Sequence, residues 1–174
     1  AKITTIGPVS FLGTTTGQDI WVLPQDATGP GGAETLGLPF VGIATEELSP
    51  STFSSVDITL TNFSGPGEFA LWQNPTLTLP ATVFMQTVDG VSSADNLNFG
   101  IGIHGHHNYG FTAEGVYQLE WTATGNFSAG GTVTDVETFT FVVGSSTAVP
   151  EPSGVVALAS FGLLGLGLRR RRRA

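Results

Sequence analysis

The chain has 174 residues, with six Lys or Arg against fourteen Asp or Glu and no cysteine. Five of the six bases are the consecutive Arg169 to Arg173, so residues 1–144 carry thirteen acids against Lys2 alone, a net charge of −12. A surface of that sign cannot neutralise a phosphate backbone, which excludes nucleic-acid partners, and the absence of cysteine excludes disulfides, zinc–thiolate sites and a thiol nucleophile.

The length suits one domain with a single two-layer core, predicted over residues 1–144. The chain opens without methionine or an apolar leader, which fits an exported protein numbered after signal removal. The first long feature, "LPQDATGPGGAETLGLPF" at 23–40, reads as a loop of a length often tied to function. In "VDITLTNF" the apolar Val56, Ile58 and Leu60 alternate with polar residues, the signature of a strand with one buried face. A turn at 64–68 follows, and "TLTLP" repeats the alternation with Leu77 and Leu79. Beyond the turns at Asp89-Gly90 and Glu114-Gly115, Tyr117, Leu119, Trp121 and Ala123 alternate in "VYQLEWTA". Gly130-Gly131 marks another turn, and Phe139, Phe141 and Val143 alternate in "TFTFVVG". The body shows no sustained 3.6-residue period, so the fold class is all-β. Seven to nine short strands predict an Ig-like antiparallel β-sandwich, with a barrel as the alternative.

The segment richest in chemistry is "GIHGHHNYGFT" at 102–112. Read as one strand, it puts His104, His106 and Asn108 on one face and Ile103, His107, Tyr109 and Phe111 on the other. Two imidazoles at i and i+2 can converge on a divalent metal if a neighbouring strand adds a carboxylate or a third ligand, which the sequence does not name. The alternative is that they are exposed polar groups or brace a turn. Weaker signals are "GIGIHG" at 100–105, which meets G-x-G-x-x-G but leads into β-rich sequence; Asp89, Asp95 and Asn96, a loop set for calcium without EF-hand spacing; and Trp21, Trp72 and Trp121 as a glycan-stacking surface, with core packing favoured for Trp121. No G-x-S-x-G elbow occurs, and the expected function is not enzymatic.

The order "GQDIWVLPQ", "GPGEFALWQ", "IHGHHNYGFTAEGVYQLEWTATG" and "TFTFVVG" resembles the choice-of-anchor M family, also described as the actinobacterial surface-anchored protein domain. The motif positions are His104, His106, Asn108, Tyr109, Phe111 and Thr112, with Tyr109 where the family usually has Trp. The resemblance implies a surface role, and in some members an association with transport systems suspected of handling metals. That gives His104 and His106 a divalent metal as a candidate cofactor.

The ending "VPEPSGVVALASFGLLGLGLRRRRRA" divides into a linker over 145–152 and a tail over 153–174. A helix over the uncharged Gly154 to Leu168 reaches roughly 22 Å, short of the ~30 Å hydrocarbon core. Arg169, Arg170, Arg171, Arg172 and Arg173 are held on the cytoplasmic side by the positive-inside bias, which leaves the body outside. Pro150 and Pro152 stop the helix and keep Glu151 extended between them. Pro150-Glu151-Pro152, a marginal apolar helix and an arginine cluster together resemble the PEP-CTERM sorting signal of exported bacterial proteins. It implies transient membrane insertion, cutting by an exosortase and delivery to the cell surface or extracellular space. A permanent tail anchor is the alternative. The functional expectation is a structural, adhesive or matrix-interacting surface protein, with extracellular polysaccharide as candidate partner; the second is a metal- or ligand-binding protein associated with a transporter.

Overall fold

The computed structural model describes residues 1–74 and 80–144. The expected alternation of Leu77 and Leu79 and the expected C-terminal helix both lie outside them. Eleven strands and one turn of 3-10 helix, Ser10–Leu12, are present among the described residues, more than the seven to nine predicted. The strands are β1 Lys2–Thr4, β2 Asp19–Leu23, β3 Gly42–Ala44, β4 Phe53–Ser64, β5 Phe69–Gln73 and β6 Thr82–Gln86, then β7 Asn96–Gly100, β8 His104–His106, β9 Asn108–Phe111, β10 Gly115–Phe127 and β11 Thr132–Val143.

All the pairings are antiparallel. A five-stranded sheet runs β1-β2-β9-β5-β6, a four-stranded sheet runs β11-β10-β4-β7, and β3 pairs with β8 in a separate two-stranded ribbon. The two large sheets share one apolar core. Phe69, Leu71, Met85, Tyr109 and Phe111 come from the first, and Leu60, Leu97, Phe99, Tyr117, Leu119 and Trp121 from the second. Period-two alternation aims the second set inward, as expected for Tyr117, Leu119, Trp121, Val56 and Leu60, all of which are buried. The five-stranded sheet is also covered on its outer face, where Leu12, Ile20, Val22, Ala70 and Trp72 form a second cluster under the 3-10 turn. With both faces buried, β5 and β9 are built from near-continuous apolar sequence instead of an alternating pattern.

The β10–β11 hairpin turns at Gly130 and Gly131, both at positive φ (93° and 88°), where a side chain would be strained. Its register sets Trp121 opposite Glu137 and Leu119 opposite Phe139. Since β11 is an edge strand, its inward residues are only partly covered: Phe139 remains 45% exposed although its parity is inward. At the start of β10 the Tyr117 hydroxyl donates to the Ala113 carbonyl (3.0 Å) and accepts the Ala113 N–H (3.1 Å), pinning the preceding loop to the core.

Candidate functional site

The histidine segment is broken at His107. His104 and His106 belong to β8 and pair with β3, whereas Asn108 begins β9 in the five-stranded sheet. This corrects the single-strand reading: Asn108 does not share a face with the two histidines but is buried, accepting the Gln25 backbone N–H (3.0 Å) and donating Nδ2–H to the Gln25 side-chain oxygen (2.9 Å). Ile103 is 47% exposed while His107 is buried, so the two do not share a face as the single-strand parity had them. The chain has to leave one sheet and enter another within a few residues, and that jog breaks the alternation.

The rings of His104 and His106 lie over Gly42, where a Cβ would sit 2.6 Å from His104 Nε2 and 2.9 Å from His106 Cε1, so a larger residue would have to displace them. His106 Nδ1 donates to the Val41 carbonyl (3.0 Å), which leaves Nε2 as the acceptor nitrogen of the neutral ring. Its face stacks on Phe40 at 3.7 Å between centroids, and its other neighbour is His104 at 4.8 Å. His104 Nδ1 lies 3.1 Å from Glu46 Oε2 at an exposed edge. Glu46 is therefore a carboxylate beside His104 alone and does not complete the third-ligand set that the sequence left open. The two rings are stacked at 30°, and among the described residues no group of three or more His, Asp or Glu side chains is placed to hold one metal ion.

His107 is buried with its ring edge against Phe84, and Phe99 lies on another side. Burial, with a smaller contribution from nearby His106, lowers its pKa to about 4, and its Nδ1 has no partner. The other motif residues are architectural. Tyr109 and Phe111 are core, and burial pushes the Tyr109 phenol up to about 12. Thr112 Oγ1 accepts the Glu68 N–H (2.7 Å).

A concave surface lies where the two sheets part along β11. It is a cleft of about 470 Å³ lined by the aromatic Trp121, Tyr109, Phe139 and Phe141, by Ile58 and Ala123, by the acidic Asp135 and Glu137, and by Val41 to Ile43. Asp135 and Glu137 are two residues apart and share the inward parity of Phe139. Trp121 is 9% exposed, and its indole N–H has no acceptor among the described residues, an arrangement that costs about 1–3 kcal/mol for a buried donor. A second cleft of about 470 Å³, lined by Lys2, Trp21, Leu38 and Val142 among others, meets the first at Val41 and Phe141. Lys2 is engaged there with Asp19 (2.8 Å), so no lysine or arginine among the described residues compensates Asp135 or Glu137.

The cleft was not expected from the sequence, although a signal was present. Folding "VYQLEWTA" onto "TFTFVVG" about the Gly130-Gly131 turn brings Trp121, Glu137 and Phe139 together. The three tryptophans form no common surface: Trp72 joins the outer cluster beside Phe11, Trp21 packs partly against the core beneath Lys2, and Trp121 stands between the sheets. Nor do the calcium candidates converge. Asp95 is buried and accepts the N–H groups of Gln86 and Ser92 (both 2.8 Å), Asp89 accepts from the Gln86 side chain (2.8 Å), and Asn96 donates to Thr59 (2.7 Å). "GIGIHG" joins β7 to β8 through a turn, without the helix a phosphate fingerprint needs.

Residues 148–172 match the PEP-CTERM protein-sorting motif. The chain carries a PEP-CTERM sorting tail. That tail implies an exported, surface-sorted protein processed by an exosortase. The match takes in Pro150, Glu151, Pro152 and Arg169 to Arg172, all outside the described residues; Arg173 follows directly. It does not reach residues 17–144, so it lends nothing to the choice-of-anchor M resemblance of the body. No curated protein and no solved structure matches this chain. Among the described residues no helix is long and apolar enough to cross a membrane.

Proposed function

We propose that this PEP-CTERM protein is a non-catalytic surface module with a structural or adhesive role in the extracellular matrix. Residues 1–144 are its body, 145–152 a linker and 153–174 the removable tail. The sorting-motif match carries this reading, because it implies export and sorting to the cell surface. An Ig-like sandwich suits such a role, and the shared core of the two sheets and the Tyr117 hydroxyl bonded back to Ala113 support that architecture. The non-catalytic reading is supported by His107, which is walled by aromatic rings and lines neither cleft along β11. The choice-of-anchor M resemblance agrees with a surface role.

The test is retention. A tagged body should be found on the cell surface and in the matrix of its host when the tail is present, and should fail to reach the surface-retained fraction when residues 148–174 are removed. Mature protein that washes freely from cells and matrix alike would overturn the reading. A second reading, a divalent-metal-binding protein associated with a transporter, draws support from Glu46 beside His104. Titration calorimetry with zinc and manganese on metal-stripped protein tests it, and absence of binding heat at neutral pH overturns it.

A further inference from the structure

We propose that the cleft between Trp121, Phe139 and Phe141 binds a polysaccharide carrying protonated amino sugars. The C–H faces of the sugar rings lie on the aromatic walls, and the ammonium groups lie at Asp135 and Glu137. The inference deepens the matrix reading and rests on it.

Three observations lead to this ligand class. The cleft, about 470 Å³, is of the size that takes a small ligand or a segment of a chain, ~300–1,000 Å³. Its walls are aromatic, and Phe139, 45% exposed on an edge strand, offers a ring that the protein's own core does not cover. Aromatic faces carry partial negative charge, so they favour C–H edges and cations and disfavour anions. The polar rim has the same preference. Asp135 Oδ1 accepts only the adjacent Val136 N–H (3.0 Å), and the one lysine of the body is bound to Asp19 elsewhere. Both acidic residues line the cleft, and no lysine or arginine among the described residues pairs with either, in a body whose net charge of −12 repels uronate or sulfated glycans.

Neutral glycans satisfy the aromatic walls but leave the two carboxylates unpaired. An amino sugar satisfies both features, which is why it is preferred. The test uses mature protein purified from its host, titrated with a glucosamine hexamer, an N-acetylglucosamine hexamer and a glucose hexamer. The glucosamine hexamer should bind about tenfold tighter than the other two, as expected for one well-placed charge pair. That advantage should vanish in about 1 M salt, where the Debye length falls to ~3 Å. The Asp135→Asn, Glu137→Gln double variant, which keeps shape and fold, should lose the preference, and Phe139→Ala should weaken binding of all three sugars. Equal affinity for the three hexamers, or a preference untouched by the double variant, overturns the proposal. So does the absence of binding to any of them. Mature protein that stays in the matrix yet shows no amino-sugar preference sinks this inference alone, whereas protein that is not retained sinks the matrix reading beneath it.

Discussion

Phe40 and His106 lie face to face, their planes 10° apart and their centroids separated by 3.7 Å. Phe40 ends the long loop that the sequence flagged at 23–40, and the Val41 carbonyl beside it accepts the His106 Nδ1 proton. Stack and hydrogen bond together fasten the loop to β8, and Val41 then forms part of the cleft wall.

His106→Ala should therefore lower stability by about 1–2 kcal/mol, the worth of one hydrogen bond with its stacked ring, with or without zinc. His104→Ala, at the exposed end of the stack, should stay within about 0.5 kcal/mol. Urea unfolding in chelator and in zinc measures both. A zinc-dependent rise in melting temperature that the His104→Ala, His106→Ala double variant abolishes would instead favour a metal site.

Trp121→Ala should cost on the order of 3–5 kcal/mol, because the indole is nearly fully buried between the sheets. Phe139→Ala should cost about 1 kcal/mol, since almost half of that side chain already faces solvent. Denaturant midpoints of the two variants check the contrast, and equal losses would contradict the placement of β11 at the sheet edge.

His107 predicts an acid limb. Its folded pKa of about 4 lies below the ordinary histidine value of 6.5, so the fold favours the neutral ring. The contribution is fully present above pH 6.5 and is lost as pH falls from there towards 4, by up to about 3 kcal/mol. His107→Leu should flatten the stability profile over that window. An unchanged profile would assign the acid limb to carboxylates instead.

Tail processing predicts a mass. Protein recovered from its native host should lack Gly154 to Ala174, because the apolar run is short for stable residence and follows Pro150-Glu151-Pro152. Intact mass spectrometry reads this directly, and a full-length tail on mature surface protein would favour a permanent anchor.

The all-β class, the inward set Tyr117, Leu119 and Trp121, and the sorting tail were legible in the sequence because each is a local signal. Strand parity repeats every two residues, and the tail is a linear address whose order and spacing are read along the chain. The site was not legible in the same way. Whether "GIHGHHNYGF" is one strand or two depends on β8 pairing with β3 while β9 inserts between β2 and β5. Those partners are distant in sequence, so no local period records the break at His107. Phe139 shows why parity alone misleads: its alternation correctly aims it inward, but burial requires a neighbouring strand, and β11 has one on a single side. Asp135, Glu137 and the aromatic rings became a cleft only through the register of the β10–β11 hairpin and the gap between two sheets. That gap depends on how the sheets pack, a free energy summed over many distant contacts, and it is therefore a property of the tertiary structure alone.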